Sequence, residues 1–446
     1  MTVVTGPRRS RAATTSGGPP GIQRSARSQT APVAVPGLRE RIRALPHLGE
    51  LLGLLERLPR TYLVGGAIRD LLRGAGAVDL DLAIDGDARA AAVELAERLD
   101  GRAVVHERFG TASVRAGAIA IDLAATRRER YERPGALPIV EPAPLAEDLA
   151  RRDFAINAMA AGLRGDELGR LHDPHGGRAD LGERVVRVLH ERSFVDDPTR
   201  LLRAVRYAAR LRFELDPGTE LQAAAAIEGQ ALATISGARL RDELLDLLRE
   251  PTGLPALRRR RGLGLDRALF PWLAGPAARA LILRQASAAH QAADATGADR
   301  ALSALAAIVA SDPEGGEAWL DRLALPAGER ERVLLASRAA PLLARRLHGE
   351  LRPSEVHGLL AAVPAEAPAL ALALGASHEV VGRYLAEIAS TRLAVTGRDL
   401  IAAGVAEGPA IGHALAETLR RKLDGEVDGR ESELRLALEL ARGFGR

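Results

Sequence analysis

The segment Leu63-Val64-Gly65-Gly66-Ala67-Ile68-Arg69-Asp70, followed closely by Asp79-Leu80-Asp81, constrains this chain more than any other. Paired glycines after an apolar run predict a strand ending in a tight turn, where the backbone can approach an anionic group. A helix expected from about Ile68 then directs free N–H groups at that anion. Side chains alternate along a strand, so Asp79 and Asp81 share one face, roughly 6 to 7 Å apart at Cα. Val78, Leu80, Leu82 and Ile84 form the opposite, apolar face. A carboxylate pair beside an anion-binding turn suits a divalent cation and phosphate chemistry. An ordinary turn before an acidic strand end has the same residues.

The 446 residues suffice for two to four domains of ~100 to 200 residues each. Aromatic residues make up only 3% while Ala and Leu dominate, which favours a largely helical body. There is no cysteine, so disulfides, zinc–thiolate sites and cysteine nucleophiles are excluded and a cytoplasmic location is expected. No apolar run approaches the ~18 to 20 residues needed to span a bilayer, so no membrane association is expected. The formal net charge is +4 and Lys422 is the only lysine. Any case for a nucleic-acid partner therefore rests on where the arginines cluster.

Residues 1–35 are rich in Arg, Ser, Thr, Pro and Gly and have no acid, the composition of a disordered basic tail. A helix is expected from Leu38 through Leu58, then strands at Thr61–Val64 and Val78–Ile84 flanking the short helix Ile68–Leu72. The pattern continues with a helix Ala88–Leu99 and strands Ala103–His106, Thr111–Ala116 and Ala118–Ala124. Pro134, Pro138, Pro142 and Pro144 predict an irregular connection. Leu149–Ala160 is helical in pattern, and from Pro198 onward helices follow one another across short Gly/Pro turns. This gives an α+β chain: a small mixed-sheet head over 36–160, a helical neck over 161–255 and a helical body and tail over 256–446.

Three further segments bear on chemistry. In Ala118-Ile119-Ala120-Ile121-Asp122-Leu123 the acid points away from its apolar neighbours, so a paired strand brings Asp122 beside Asp79 and Asp81. Three acids in a partly dry cleft raise one another's pKa unless cations compensate, and Mg²⁺ accepts such oxygen ligands together with substrate phosphates. In Arg151-Arg152-Asp153-Phe154-Ala155-Ile156-Asn157-Ala158 a helix puts Asp153 and Asn157 on one face, fit for a ribose and phosphates or for a salt-bridged surface. In Asp196-Asp197-Pro198-Thr199-Arg200-Leu201-Leu202-Arg203-Ala204-Val205-Arg206, helical spacing lines up Arg200, Arg203, Arg206 and Arg210. Their planar guanidinium groups suit base edges and phosphates, or acids on a neighbouring helix.

Taken in order, LVGGAIRD at 63–70, DLD at 79–81, RRDFAINA at 151–158, DPHGG at 173–177 and DDPTRLLRAVRYAARLRF at 196–213 resemble the bacterial class II tRNA nucleotidyltransferase/poly(A) polymerase family. The resemblance runs from about Thr61 to Leu248. It implies a polymerase-beta-like nucleotidyltransferase head followed by an elongated all-helical body that binds tRNA. The implied activity is template-independent addition of C and/or A from CTP and ATP to the tRNA 3′ end, with release of pyrophosphate. Poly(A) synthesis, A-only or CC-only addition, and a noncatalytic RNA-binding protein are the alternatives. By resemblance Asp79 and Asp81 hold catalytic Mg²⁺ and Asp122 is the third catalytic carboxylate. Gly65, Gly66 and Arg69 handle the triphosphate, while Arg152, Asp153 and Asn157 position the nucleotide. Asp196, Asp197 and Arg200, with Arg203 and Arg206 following on the same stripe, correspond to the amino-acid template that selects the base. That template commonly begins with Glu, and the Asp at 196 reaches ~1 to 1.5 Å less far. No obligate protein partner is implied.

Overall fold

The computed structural model describes residues 31–75, 80–106, 110–273 and 275–444. The head is built on one eight-stranded mixed sheet. In chain order its strands are β1 (Val33–Ala34), β2 (Arg60–Val64), β3 (Leu80–Asp85), β4 (Arg102–His106), β5 (Thr111–Ala116) and β6 (Ile119–Ala125). A separate ribbon, β7 (Arg127–Arg130) with β8 (Ile139–Pro142), follows, and β9 (Ala160–Gly162) and β10 (Arg170–His172) return to the main sheet. The spatial order is β1-β10-β9-β2-β3-β6-β5-β4. β3 and β6 pair in parallel, while β2 is antiparallel to both β3 and β9.

Alternation decides which face is buried. Leu80, Leu82 and Ile84 of β3 join Val114, Ile121 and Leu123 in a core covered by helices Leu38–Arg43, Leu48–Leu55, Gly66–Leu72 and Ala88–Arg98. The opposite face is covered only in part. There Tyr62, Val64, Ala83 and Ala160 pack against Leu145 and Leu149 of the helix Leu145–Ala150. Asp81 and Asp122, on this second face, stay exposed.

A second core gathers buried residues between Phe154 and Ile388 into one cluster and unites neck and body. At its centre every residue from Ala301 to Val309 of helix Arg300–Val309 is buried, packed by helices Pro276–Thr296, Ala327–Arg346 and Glu366–Ala373. A small cluster around Leu400, Ile411, Ala414, Ala437 and Ala441 holds the last three helices. At the start of the first of these, Asp399 Oδ2 accepts from Thr396 N (2.7 Å) and from Thr396 Oγ1 (2.8 Å). No helix among the described residues is long and apolar enough to cross a membrane.

Several elements differ from expectation. Leu38–Leu58 is two helices, because the chain turns at Pro46 and His47, the latter at φ 63°. The proline-rich connection is not irregular: Arg127–Arg130 and Ile139–Pro142 pair as a ribbon. The sheet also crosses the expected boundaries. β9 and β10 extend the head beyond residue 160, and Val33–Ala34, expected in the tail, pairs with Leu171 and Arg170. Leu149–Ala160 is not one helix. It ends at Ala150, a single 3₁₀ turn spans Ala155–Asn157, and Ala160 enters β9.

Candidate active site

Parallel pairing of β3 with β6 sets Asp81 directly opposite Asp122. Asp122 is oriented by Ser113 on β5, its register partner, whose hydroxyl donates to Oδ1 at 2.5 Å. Asp79 and Val78 lie outside the described residues. Among the described residues no three acid or histidine side chains gather as a metal cage, so the described part of the expected acidic set is the pair Asp81 and Asp122. Its hard carboxylate oxygens, on neighbouring strands and open to solvent, fit a divalent cation that shares its shell with a phosphate.

A cavity of about 310 Å³ lies over Asp81, Asp122, Ser113 and Arg152. A second, of about 370 Å³, is lined by Gly65, Gly66, Asp81, Asp153, Asn157, Asp197, Arg200 and Arg203. Asp81 and Arg152 border both. Gly65 (φ 66°) makes the turn from β2 into the helix, and a Cβ there would stand 3.1 Å from Arg152 Nη1. A side chain would wedge into the space between the turn and that guanidinium.

Polar contacts behind the cavity fix its walls. Asp153 is buried; Oδ1 accepts from Phe154 N (2.8 Å) and Asn157 Nδ2 (3.0 Å), and Oδ2 from Arg203 Nε (3.0 Å) and Nη2 (2.6 Å). Burial raises the pKa of its carboxyl, but the charge of Arg203, the hydrogen bonds from Arg203 and Asn157 and the charge of Arg200 together hold it below the ordinary value. Asp153 and Asn157 therefore meet across a 3₁₀ turn, where an α-helical face was expected. Arg69 is also placed differently from expectation. Buried behind the glycines, it donates to Asn157 Oδ1 (2.8 Å), grips Asp70 with Nε and Nη2, and lies 5.5 Å from the Tyr207 ring centre.

The arginine stripe divides. Arg200 is buried, donating from Nη1 to Ser193 Oγ (2.8 Å) and from Nη2 to the Arg151 carbonyl (2.7 Å), with Nε 4.0 Å from Asp197 Oδ2. Asp197 Oδ1 accepts from Thr199 and, at 2.8 Å, from Arg239. Arg206 turns to Glu243 and Asp246, and Arg210 to Glu250, so these two meet acids on or just after the helix Gly237–Arg249 and do not line the cavity. Arg203 reaches both Asp153 and Glu243. Asp196 is also away from the cavity, paired with Arg192 at 2.9 Å. The reason is local: one helix ends at Asp196, the chain extends at Asp197, and the next helix begins at Arg200, so Asp196 and Arg200 are not one turn apart on a shared helix.

Sequence reasoning did not single out Asp148, Glu129, Tyr131, Arg151, Tyr207 or Arg239. Asp148 is buried and accepts from Arg151 (2.9 and 2.8 Å) and Arg152 (3.3 and 3.0 Å). Its spacing of three and four from these arginines was the available signal. Glu129 accepts from Tyr131 and Arg151, and its period-two relation to Tyr131 places both at the cavity. Tyr207 has the guanidinium carbons of Arg69, Arg203 and Arg206 within 5.4 to 5.6 Å of its ring centre, a cation–π cluster.

Asp148 gives a pH prediction. Burial raises its pKa, while the charges of Arg152 and Arg151 and the hydrogen bonds both donate together lower it by more, so the folded value lies below the ordinary one. Its contribution to stability is then present above the unfolded carboxylate pKa of about 4 and lost as pH falls through the folded value. Denaturant unfolding of wild type and Asp148→Asn at several pH values should show a gap that is widest above about pH 5 and narrows below about pH 4. A gap that widens in acid contradicts this assignment.

A mixed sheet with strand-paired carboxylates, joined to a helical neck that closes over a glycine turn, is the architecture of a nucleotidyltransferase head. Residues 61–187 match the model of the poly(A) polymerase head domain. The chain is 34% identical over 427 residues to an A-adding tRNA nucleotidyltransferase of Geobacter sulfurreducens, covering 90% of this chain and 47% of the relative. It is 38% identical over 337 residues to a CC-adding tRNA nucleotidyltransferase of Deinococcus radiodurans, covering 74% of this chain and 84% of the relative. The fold superposes on a Thermotoga maritima CCA-adding enzyme complexed with a CCA-ending tRNA at a TM-score of 0.70, with 31% identity, over 91% of this chain and 98% of that one. The chain belongs to the tRNA nucleotidyltransferase/poly(A) polymerase family. It spans half or less of the length of the first A-adding relatives it matches.

Proposed function

We propose that this chain extends the 3′ end of tRNA with some or all of CCA, taking CTP and/or ATP and releasing pyrophosphate. The observation that carries this reading is the register pairing of Asp81 with Asp122 over one cavity, with Asp81 also bordering the second cavity, which Gly65, Gly66 and Arg200 line. The RNA 3′-oxygen attacks the α-phosphorus, the bond from that phosphorus to the β-phosphate bridging oxygen breaks, and pyrophosphate leaves. Asp81 and Asp122, with Asp79 assigned from its place in the motif, would hold Mg²⁺. When bound it lowers the hydroxyl pKa and offsets charge on the α-phosphate and leaving group. The Gly65–Gly66 turn and Arg152 receive the triphosphate, Arg152 being aimed by Asp148. Arg69, Asp153 and Asn157 position these groups from behind.

Base choice follows from donors and acceptors. Asp197 keeps Oδ2 as an acceptor and Arg200 keeps N–H donors beyond those used by Ser193 and Arg151. Cytosine and adenine each offer an amino donor next to a ring-nitrogen acceptor, which this pair matches. Uracil and guanine present the reverse. Arg200→Ala should therefore reduce discrimination of CTP and ATP against UTP and GTP by roughly 10- to 100-fold, the worth of one bidentate base contact. Competition between nucleotides in an extension assay measures it, and unchanged selectivity removes Arg200 from the template.

Within this reading, A-addition alone is the narrower alternative to full CCA addition. It is favoured by Asp196, the first template acid, which is paired with Arg192 away from the cavity, and by the name of the Geobacter relative. Purified chain with Mg²⁺ and tRNAs ending before CCA, after the first C or after both Cs, given CTP or ATP separately, decides between them. Ordered CCA supports full addition, CC without a following A supports CC-addition, and a single A only after CC supports A-addition alone. Long A tracts on unrelated RNA, or no incorporation at all, overturn all three.

A further inference from the structure

A concavity lined by six arginines and one acid lies apart from the nucleotide site. It measures about 630 Å³ and sits between the C-terminal end of helix Gly253–Arg259, the turn Arg261–Leu263, the short helix Leu265–Leu269 and the helix Pro276–Thr296. Arg258, Arg259, Arg261, Arg267 and Arg284 line it, and none of the five makes an ion pair or side-chain hydrogen bond among the described residues. The one acid in its wall, Asp266, is buried and faces Arg279 Nε at 3.3 Å. Arginines nearby behave otherwise: Arg206 and Arg210 meet acids, and Arg260, inside the same run, pairs with Glu214 at 2.7 Å. Five unopposed guanidinium groups around one hollow repel one another, a cost that a bound polyanion removes.

We infer that this hollow grips the phosphodiester backbone of the RNA whose 3′ end is extended, an inference that rests on the RNA substrate proposed above. Its chemistry favours backbone over base. Apart from the arginines the described wall is Pro255, Gly262, Gly264, Asp266, Pro276, Ala280 and Leu283, with no aromatic ring among the described residues to stack a base, and the Asp266 carboxylate is already occupied. Charge without a base-reading set gives sequence-independent contact, and arginine's planar fork matches phosphate oxygens. The placement agrees: helix Gly253–Arg259 packs directly on helix Arg200–Leu211, whose first residue lines the nucleotide cavity. One polynucleotide held here has its end directed toward the reaction by a single packed unit.

The test is Arg259→Gln/Arg284→Gln, two exposed, unpaired positions, in the full chain. Anisotropy titration with a tRNA transcript lacking CCA should give roughly tenfold weaker binding at 0.1 M salt and a log Kd against log salt slope shallower by about 2, near 0.9 for each phosphate no longer neutralised. Arg259→Lys/Arg284→Lys should restore most of the slope. Wild-type affinity and slope in the glutamine variant overturn the inference. So does a fall in the number of ATP molecules bound in equilibrium dialysis, which would mark a free-nucleotide site. The extension assay on the same proteins separates the two proposals. Binding through these arginines without any nucleotide addition refutes the reaction and keeps this site, whereas normal addition with unaltered salt slope refutes this site alone.

Discussion

Asp81→Asn is expected to lower nucleotide addition by at least ~10³-fold, because several kcal/mol of charge stabilisation at the α-phosphate are lost and each ~1.4 kcal/mol is a factor of ten. The change keeps the side chain's size and acts at an exposed position on a strand whose buried neighbours Leu80 and Leu82 hold the core. Folding and RNA affinity should therefore stay near wild type. Single-turnover extension with saturating tRNA and nucleotide isolates the chemical step. Asp122→Asn should have a similar effect, and Ser113→Ala a smaller one, since Ser113 orients the carboxylate through one hydrogen bond. Normal turnover in Asp81→Asn would remove the strand pair from the reaction. A loss confined to KM would make it a nucleotide-binding group only.

What the sequence disclosed here depended on period. The alternation in Leu80-Asp81-Leu82 and in Ile121-Asp122-Leu123 told which side chains face out. That these two acids sit opposite one another follows from a parallel β3–β6 pairing, a long-range choice that alternation does not encode. Helical period misled at Asp153 and Asn157, which share a face by spacing. The buried 3₁₀ turn wins there because Asp153 caps Phe154 N and Phe154 bridges to Val188, tertiary contacts that local propensity does not contain. The arginine stripe was legible as a stripe. Which arginines serve the cavity and which pair with Glu243 and Glu250 was decided by helix Gly237–Arg249, whose acids gave no sign in sequence of their partners. Asp196 lies off the cavity because one helix ends there and the chain extends at Asp197 before the next helix begins at Arg200, a local break that spacing from Pro198 does not reveal.

Asp153→Ala should produce the largest loss of stability of any single change in the site, because Asp153 is the middle of one polar chain that joins head to neck. Asp70 holds Arg69, Arg69 donates to Asn157, Asn157 donates to Asp153, Asp153 takes two bonds from Arg203, and Arg203 continues to Glu243. These residues come from the helix after the glycine turn, the 3₁₀ turn and two neck helices. Removing the carboxylate leaves Arg203 without its closest counter-charge and Phe154 N–H without its acceptor. Breaking such a buried pair costs about 3 to 5 kcal/mol. Asp153→Asn, which keeps the Oδ1 acceptor and loses the charge, should cost less. Denaturant unfolding of both variants, and of Arg203→Met with and without Asp153→Ala, measures the coupling, expected at about 1 to 3 kcal/mol for groups in direct contact. If Asp153→Ala shifts stability by no more than the ~0.5 kcal/mol typical of a surface change, head and neck are held by their apolar contacts alone.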